Sequence, residues 1–142
     1  MFQNPSQAEI EKLLRSTRVI AMVGLSADPS KPSYTVAQHL KEFGYRVIPV
    51  TPTATEVLGE RAAPDLDHVK DLLKPGEQVD LVDVFRRSEF VAGIVDDCIR
   101  LKFPAIWLQL GVVDEAAATR AQAAGLFTVM DRCVYRERRA IG

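Results

Sequence analysis

Seven side chains suited to holding an anion follow apolar runs: Ser26, Ser30, Lys31 and Ser33 after residues 18–23, Thr51 after 45–50, and Arg86 and Arg87 after 79–85. Hydroxyls and flexible cations donate to phosphate oxygens. Gly24 closes the first apolar run. It opens a small-residue loop, Leu25 to Ser33, that leads into the amphipathic stretch 34–43. Strand, small-residue loop and helix start, in that order, form the phosphate-holding corner of doubly wound α/β folds, where backbone amides and the helix N-terminus meet the anion. A strand-to-helix loop without any ligand has the same outline. In that plainer reading Lys31 is solvated, Ser33 is a helix cap, and Arg86 and Arg87 are a solvated rim.

Other chemistries fit less well. A dinucleotide fingerprint would place further glycines at positions 26 and 29, which are Ser26 and Pro29. The second apolar run ends in Val50-Thr51-Pro52, with no acid to bind a ribose diol, and no lysine-serine pair of the Walker type occurs. A metal site needs three or four converging ligands, and His39 and His68 are scattered surface positions. Cys98 falls in a helical stretch and is expected in the core. Cys133 is either a buried structural cysteine or a thiol activated by Arg132. Asp83 lies inside an apolar run, where an unpaired carboxylate would be costly, so a structural hydrogen-bonding role is expected rather than catalysis.

These residues need a scaffold, and the chain has the means for one. Its 142 residues, 47% apolar and 26% charged, suit a single domain over 1–142 with a core over about 10–136. The net charge of −1 provides no field toward nucleic acid or an anionic membrane. No apolar run approaches the roughly 20 residues that span a bilayer, and the N-terminus lacks signal-peptide features. Two cysteines without a CxxC motif are expected to be reduced thiols in a cytoplasmic protein.

The local pattern alternates. Ser6 and Glu9 have capping-box spacing ahead of a helix over about 7–16. Residues 18–23 read as a strand buried on both faces. Ser33 caps a helix that Gly44 ends, and Tyr45 to Val50 is a second strand that Pro49 should stop from pairing. Residues 57–61 read as a short extended piece, 65–73 as a weak helix, and Pro75-Gly76 as a turn. A third strand over 79–85 precedes a helix opened by Ser88 and Glu89 and running to about 102. A fourth strand covers 105–108, a helix from Asp114 to Ala124 stops at Gly125, and a fifth strand covers 127–130. The arginine-rich tail 132–142 is ambiguous. The alternation implies a Rossmann-like, doubly wound, parallel five-stranded sheet in the order 3-2-1-4-5. Ligands of such sheets bind beyond the carboxyl ends of the strands, where segments 24–33, 50–54, 85–88 and 109–112 meet. Gln109 and Gly111 leave the fourth strand toward that crevice.

Six segments in order carry a resemblance: Val23-Gly24-Leu25-Ser26, Pro32-Ser33-Tyr34, Pro49-Val50-Thr51-Pro52, Val82-Asp83-Val84-Phe85-Arg86-Arg87, Trp107-Leu108-Gln109-Leu110-Gly111-Val112 and Met130-Asp131-Arg132-Cys133. Together they resemble the stand-alone CoA-binding domain proteins, relatives of the CoA-binding domain of the succinyl-CoA synthetase α subunit and of the ADP-forming acyl-CoA synthetases. The resemblance implies coenzyme A or an acyl-CoA as ligand. It implies that Gly24, Leu25, Ser26 and Ser33 cradle the diphosphate, and that Val50, Thr51 and Pro52 flank the adenosine end. Phe85 and Arg86 would border adenine or pantetheine. Thr53 stands where relatives often carry a lysine, for which Lys31 or Arg87 could compensate. The synthetases' phosphorylated histidine belongs to another domain, so a complete ligase is not expected. The reading is a binding protein without chemistry of its own, for a small-molecule ligand, with an unidentified protein partner possible. The alternatives are a nucleotide- or NAD-dependent enzyme using Asp83 or Cys133, and a partner protein whose ligand controls docking.

Overall fold

The computed structural model describes all 142 residues, Met1–Gly142. The chain opens with α1 (Gln7–Ser16), whose capping box forms as the sequence implies: Ser6 Oγ accepts from the Glu9 N–H and the Glu9 carboxylate accepts from the Ser6 N–H. β1 (Val19–Val23) follows, then α2 (Pro32–Glu42) and β2 (Arg46–Val50). β3 (Glu56–Val57) and β4 (Glu60–Arg61) form a small hairpin, turned by Leu58 and Gly59, both at positive φ. A 3-10 turn, Leu66–Leu72, leads to β5 (Leu81–Val84). A second 3-10 turn, Ser88–Phe90, runs into α3 (Val91–Leu101). β6 (Ala105–Leu108), α4 (Glu115–Ala123), β7 (Phe127–Val129) and α5 (Val134–Ala140) complete the chain.

The main sheet is parallel, five-stranded and doubly wound, in the order β2-β1-β5-β6-β7. The fold class is as expected from the sequence, but the strand order is not. Counting parallel strands alone it runs 2-1-3-4-5, where 3-2-1-4-5 was expected. The outer edge of β2 explains the difference. Ala63 pairs there with Val50, donating to the Pro49 carbonyl and accepting from the Thr51 N–H, each at 2.9 Å. Arg46, at the start of β2, is covered by ion pairs to Glu60 and Glu77. The chain therefore crosses back, and β5 takes the free edge of β1. Pro49 also pairs within the sheet, opposite Met22, contrary to expectation. Its missing N–H falls on the outer side, where its carbonyl meets Ala63, so no bond to β1 is lost.

Strand residues alternate between two cores, as the period of two requires. Val19, Ala21 and Val23 of β1, with Val82 and Val84 of β5, pack toward α3, α4 and the first 3-10 turn. Ile20, Met22, Leu81 and Trp107 pack toward α1, α2 and α5. The weak helix expected at 65–73 is the 3-10 turn, with Asp65 capping the His68 N–H. The ambiguous tail is α5. It is tethered where Trp107 Nε1 donates to the Arg132 carbonyl (2.8 Å) and Gln109 Oε1 accepts from the Val134 N–H (3.0 Å).

Candidate functional site

Because β2 and β5 flank β1 on opposite sides, the crossover directions diverge at β1, and the crevice opens between β1 and β5. Gly24 sits at that point. Its N–H donates to the Val50 carbonyl at 2.9 Å, and the Phe85 N–H donates to the Val23 carbonyl at 2.8 Å, so the ends of all three strands are tied together. Gly24 has φ +85°, and a β-carbon on it would lie 2.2 Å from the Phe85 carbonyl oxygen and 2.9 Å from Arg86 Cδ. The glycine is thus required by the close approach of β1 to β5, independently of any ligand.

The loop beyond Gly24 keeps donors free. The backbone N–H groups of Leu25, Ala27 and Ser33 have no partner within the protein. α2 starts at Pro32, with Lys31 as N-cap, no side-chain cap bond and no acid in the first turn. Ser33 is therefore not the cap that its position suggested. Its buried hydroxyl accepts from the Ser26 N–H at 3.0 Å and pins the loop across the helix start. The other hydroxyls are also engaged: Ser26 Oγ accepts from the Asp28 N–H, and Ser30 Oγ donates to Asp28. The Asp28 carboxyl is held below its ordinary range by the Ser30 amide, then by the Ser30 hydroxyl. The side chains shape the loop, and its free amides, at the positive end of α2, are what an anion would meet.

Two clefts flank Gly24. One, of about 490 Å³, lies between the end of β2 and α3 and is walled by Val50, Pro52, Leu66, Arg86 and Phe90, with the carboxylates of Asp65, Asp96 and Asp97. The other, of about 660 Å³, lies between α2 and α5 and is walled by Pro32, Val36, Phe85, Gln109, Leu110 and Tyr135, with Arg136 and Arg139. Arg86 passes over Gly24 and stacks its guanidinium on Phe90, 4.1 Å from the ring centroid.

The residues expected at the site separate accordingly. Gly24, Ser26 and Ser33 form the loop, Val50, Pro52 and Arg86 reach the first cleft, and Pro32, Phe85 and Gln109 reach the second. Leu25 is 1% exposed, so only its backbone can serve. Thr51 is buried, its hydroxyl bonded to that of Thr53 at 2.9 Å. Lys31 is exposed at the helix start. Arg87 pairs with Glu89 at 3.1 Å, its guanidinium 5.5 Å from the Phe90 ring centroid, and lines neither cleft. The Gly111 N–H donates to Asp131 at 2.7 Å, and its exposed neighbour Leu110 lines the cleft instead. Tyr135, Arg136 and Arg139 escaped the sequence reading. Their signal was the arginine run in the tail, too short for a helical period to be read.

Asp83 makes no hydrogen bond through either carboxylate oxygen, contrary to the structural bond expected of it. It is fully buried, in register with Met22 and Trp107, and burial pushes its carboxyl well above the carboxylate range. It has no access to substrate. Burial likewise pushes the Cys98 thiol up to about 12. Cys133 is half-buried and lines the α2–α5 cleft. His39 stacks on Tyr135 and pairs with Glu42, while His68 pairs with Asp65. No helix is long and apolar enough to cross a membrane.

A parallel doubly wound sheet with an open-amide loop at the end of β1, between clefts at its switch point, has the architecture that receives phosphorylated ligands. The CoA binding domain family matches residues 18–139, and the chain belongs to that family. YneT of Bacillus subtilis is 39% identical over 132 residues, 93% of each chain. A Thermus thermophilus protein of solved structure superposes with a TM-score of 0.86 at 32% identity, over 97% of this chain and all of that one. The dinucleotide-forming acetyl-coenzyme A synthetase 1 of Candidatus Korarchaeum cryptofilum superposes with a TM-score of 0.67 at 26% identity, over 84% of this chain but 27% of that one.

Proposed function

We propose that this protein binds coenzyme A or an acyl-CoA at the carboxyl ends of β1, β2 and β5, and that it performs no reaction of its own. The observation that carries the reading is the loop after Gly24. Three backbone amides there have no partner in the protein, in the loop that leads to the N-terminus of α2 and with the Arg86 side chain passing over Gly24, and such a loop suits a diphosphate. A ligand anchored at this point can extend in two directions. The α3 cleft, between apolar walls with Phe90 at its side, suits a flat base. The α2–α5 cleft suits a long, mostly apolar arm. Membership of the CoA binding domain family supports the same ligand.

No nucleophile, base and third orienting group come together in either cleft, which favours binding over catalysis. The nicotinamide alternative lacks support at the ribose. No acid directly follows β2, and Asp65, which shares the α3 cleft with Val50, accepts from the His68 N–H and pairs with its ring. The test is mass spectrometry of ligand released from the purified protein, with thermal melts in CoA and in NAD. CoA is expected in the released fraction, and CoA alone should raise the melting temperature. A ligand that binds only the native state stabilises by about 2.7 kcal/mol at a hundredfold excess over Kd. Equal stabilisation by NAD, or none by CoA, overturns the assignment.

A further inference from the structure

The two clefts differ in their charge. In the α3 cleft, Asp96 is paired with Arg120 and Asp97 with Arg100. In the α2–α5 cleft no carboxylate lines the wall, and Arg136 and Arg139 have no acidic partner. The two arginines are three residues apart on α5, so they share one helix face and point into the same cleft. Arg139 is set over the Tyr135 ring at 5.2 Å, and that ring stacks on His39 of α2 at 4.2 Å, which orders the wall. An independent feature points the same way. Gln109 is 3% exposed and lines this cleft. Its Oε1 is taken by the Val134 N–H, while its Nε2 has no partner in the protein. The residue is buried but this donor stays accessible, so an acceptor bound in the cleft can meet it.

We infer that the α2–α5 cleft is an anion subsite, separate from the amide loop at Gly24, with Arg136 and Arg139 as counterions and Gln109 Nε2 as a neutral donor. The inference rests on the CoA reading above and refines its ligand: the bound molecule carries a second anionic group besides its diphosphate. Within CoA esters two sources offer one: a carboxylate at the end of the acyl chain, which fits the orientation above, and the ribose 3′-phosphate, which requires the ligand reversed, with its adenosine end in this cleft. Both present two or three oxygens to a guanidinium fork. The apolar walls, Val36, Phe85 and Leu110, hold the uncharged atoms that lead to that group.

Calorimetric titration with CoA, dephospho-CoA, succinyl-CoA and butyryl-CoA tests this on wild type and on the double variant Arg136→Gln, Arg139→Gln. Both arginines are exposed, so folding is retained, which circular dichroism checks. The double variant should lose about tenfold in affinity at low salt for ligands that bear the seated group, since charge-assisted bonds at a partly exposed site are worth a modest amount. Loss for CoA but not dephospho-CoA assigns the 3′-phosphate; loss for succinyl-CoA beyond that for butyryl-CoA assigns the acyl carboxylate. Arg136→Lys with Arg139→Lys should recover part of the loss, and the effect should shrink as salt rises. Removing two exposed charges elsewhere, with Lys12→Gln and Lys70→Gln, should leave binding unchanged. Wild-type affinity of the arginine variant for all four ligands, or equal loss in the lysine control, overturns the subsite while leaving the CoA reading intact. Failure of wild type to bind any of the four overturns both.

Discussion

Replacing Gly24 with alanine probes the joint on which the site is built. Two costs are expected. An L-residue at φ +85° is strained by roughly 1–2 kcal/mol. The new methyl would also stand 2.2 Å from the Phe85 carbonyl oxygen, which is backbone just past the end of β5, held there by the Phe85 N–H bond to the Val23 carbonyl, and cannot swing aside like a side chain. Restoring ordinary contact means separating the ends of β1 and β5 by about 1 Å in a close-packed interior, and overpacking of this kind costs about 1–3 kcal/mol. Gly44 provides the control. Its φ is +101° and a β-carbon there would meet nothing within 4 Å, so Gly44→Ala carries the conformational cost alone. The gain from a less flexible unfolded chain is the same in both variants and cancels. Urea unfolding should therefore show Gly24→Ala to be less stable than Gly44→Ala by about 1–3 kcal/mol at an unchanged m value. Equal losses in the two variants would refute the argument that β1 and β5 press together at this residue. Because the cost falls on the fold, weaker CoA binding by Gly24 variants is no proof of a phosphate contact.

Three further expectations concern other parts of the molecule. The Asp83 carboxyl, ordinarily near 3.8 and raised by burial, keeps its proton in the folded state after the unfolded chain has lost it, so this group's contribution is complete below about pH 4 and declines as pH rises toward the folded value. The stability of Asp83→Asn relative to wild type, measured in urea from pH 4 to pH 8, should therefore increase with pH, and a flat difference would contradict a buried neutral carboxyl. Thr53→Lys adds a cation beside Pro52 at an exposed position and should tighten CoA by about 0.3–1 kcal/mol at low salt; weaker binding with the fold intact would mean that this segment does not face a phosphate. With a thiol reagent on the native protein, half-buried Cys133 should react and buried Cys98 should not, and CoA should slow the labelling of Cys133 because it lines the α2–α5 cleft; labelling unaffected by saturating CoA would move the ligand out of that cleft.

Much of the fold was legible before any tertiary information, because its determinants are local. The Ser6–Glu9 capping box, the Asp114 cap of α4 and the Gly44 stop of α2 each act within one turn of chain. The apolar runs of β1 and β6, and of β5 apart from Asp83, reflect burial on both faces, which sequence displays directly. From these came the parallel doubly wound class, and with it the expectation that Gly24, Val50, Phe85 and Arg86 meet at the strand ends. The order of strands was not legible, since it depends on which edge of β2 is already occupied. Ala63 closes that edge from 13 residues beyond Val50, a pairing with no local pattern. Nor could sequence separate Arg86 from Arg87: both guanidinium groups reach the Phe90 ring, but Arg86 passes over Gly24 and lines the α3 cleft while Arg87 pairs with Glu89 and lines neither. The α2–α5 cleft was decided by tertiary structure altogether. Its arginines lie on a seven-residue helix whose start is tethered by Trp107 in β6 and Gln109 just beyond it, each bonded to a residue 25 positions later.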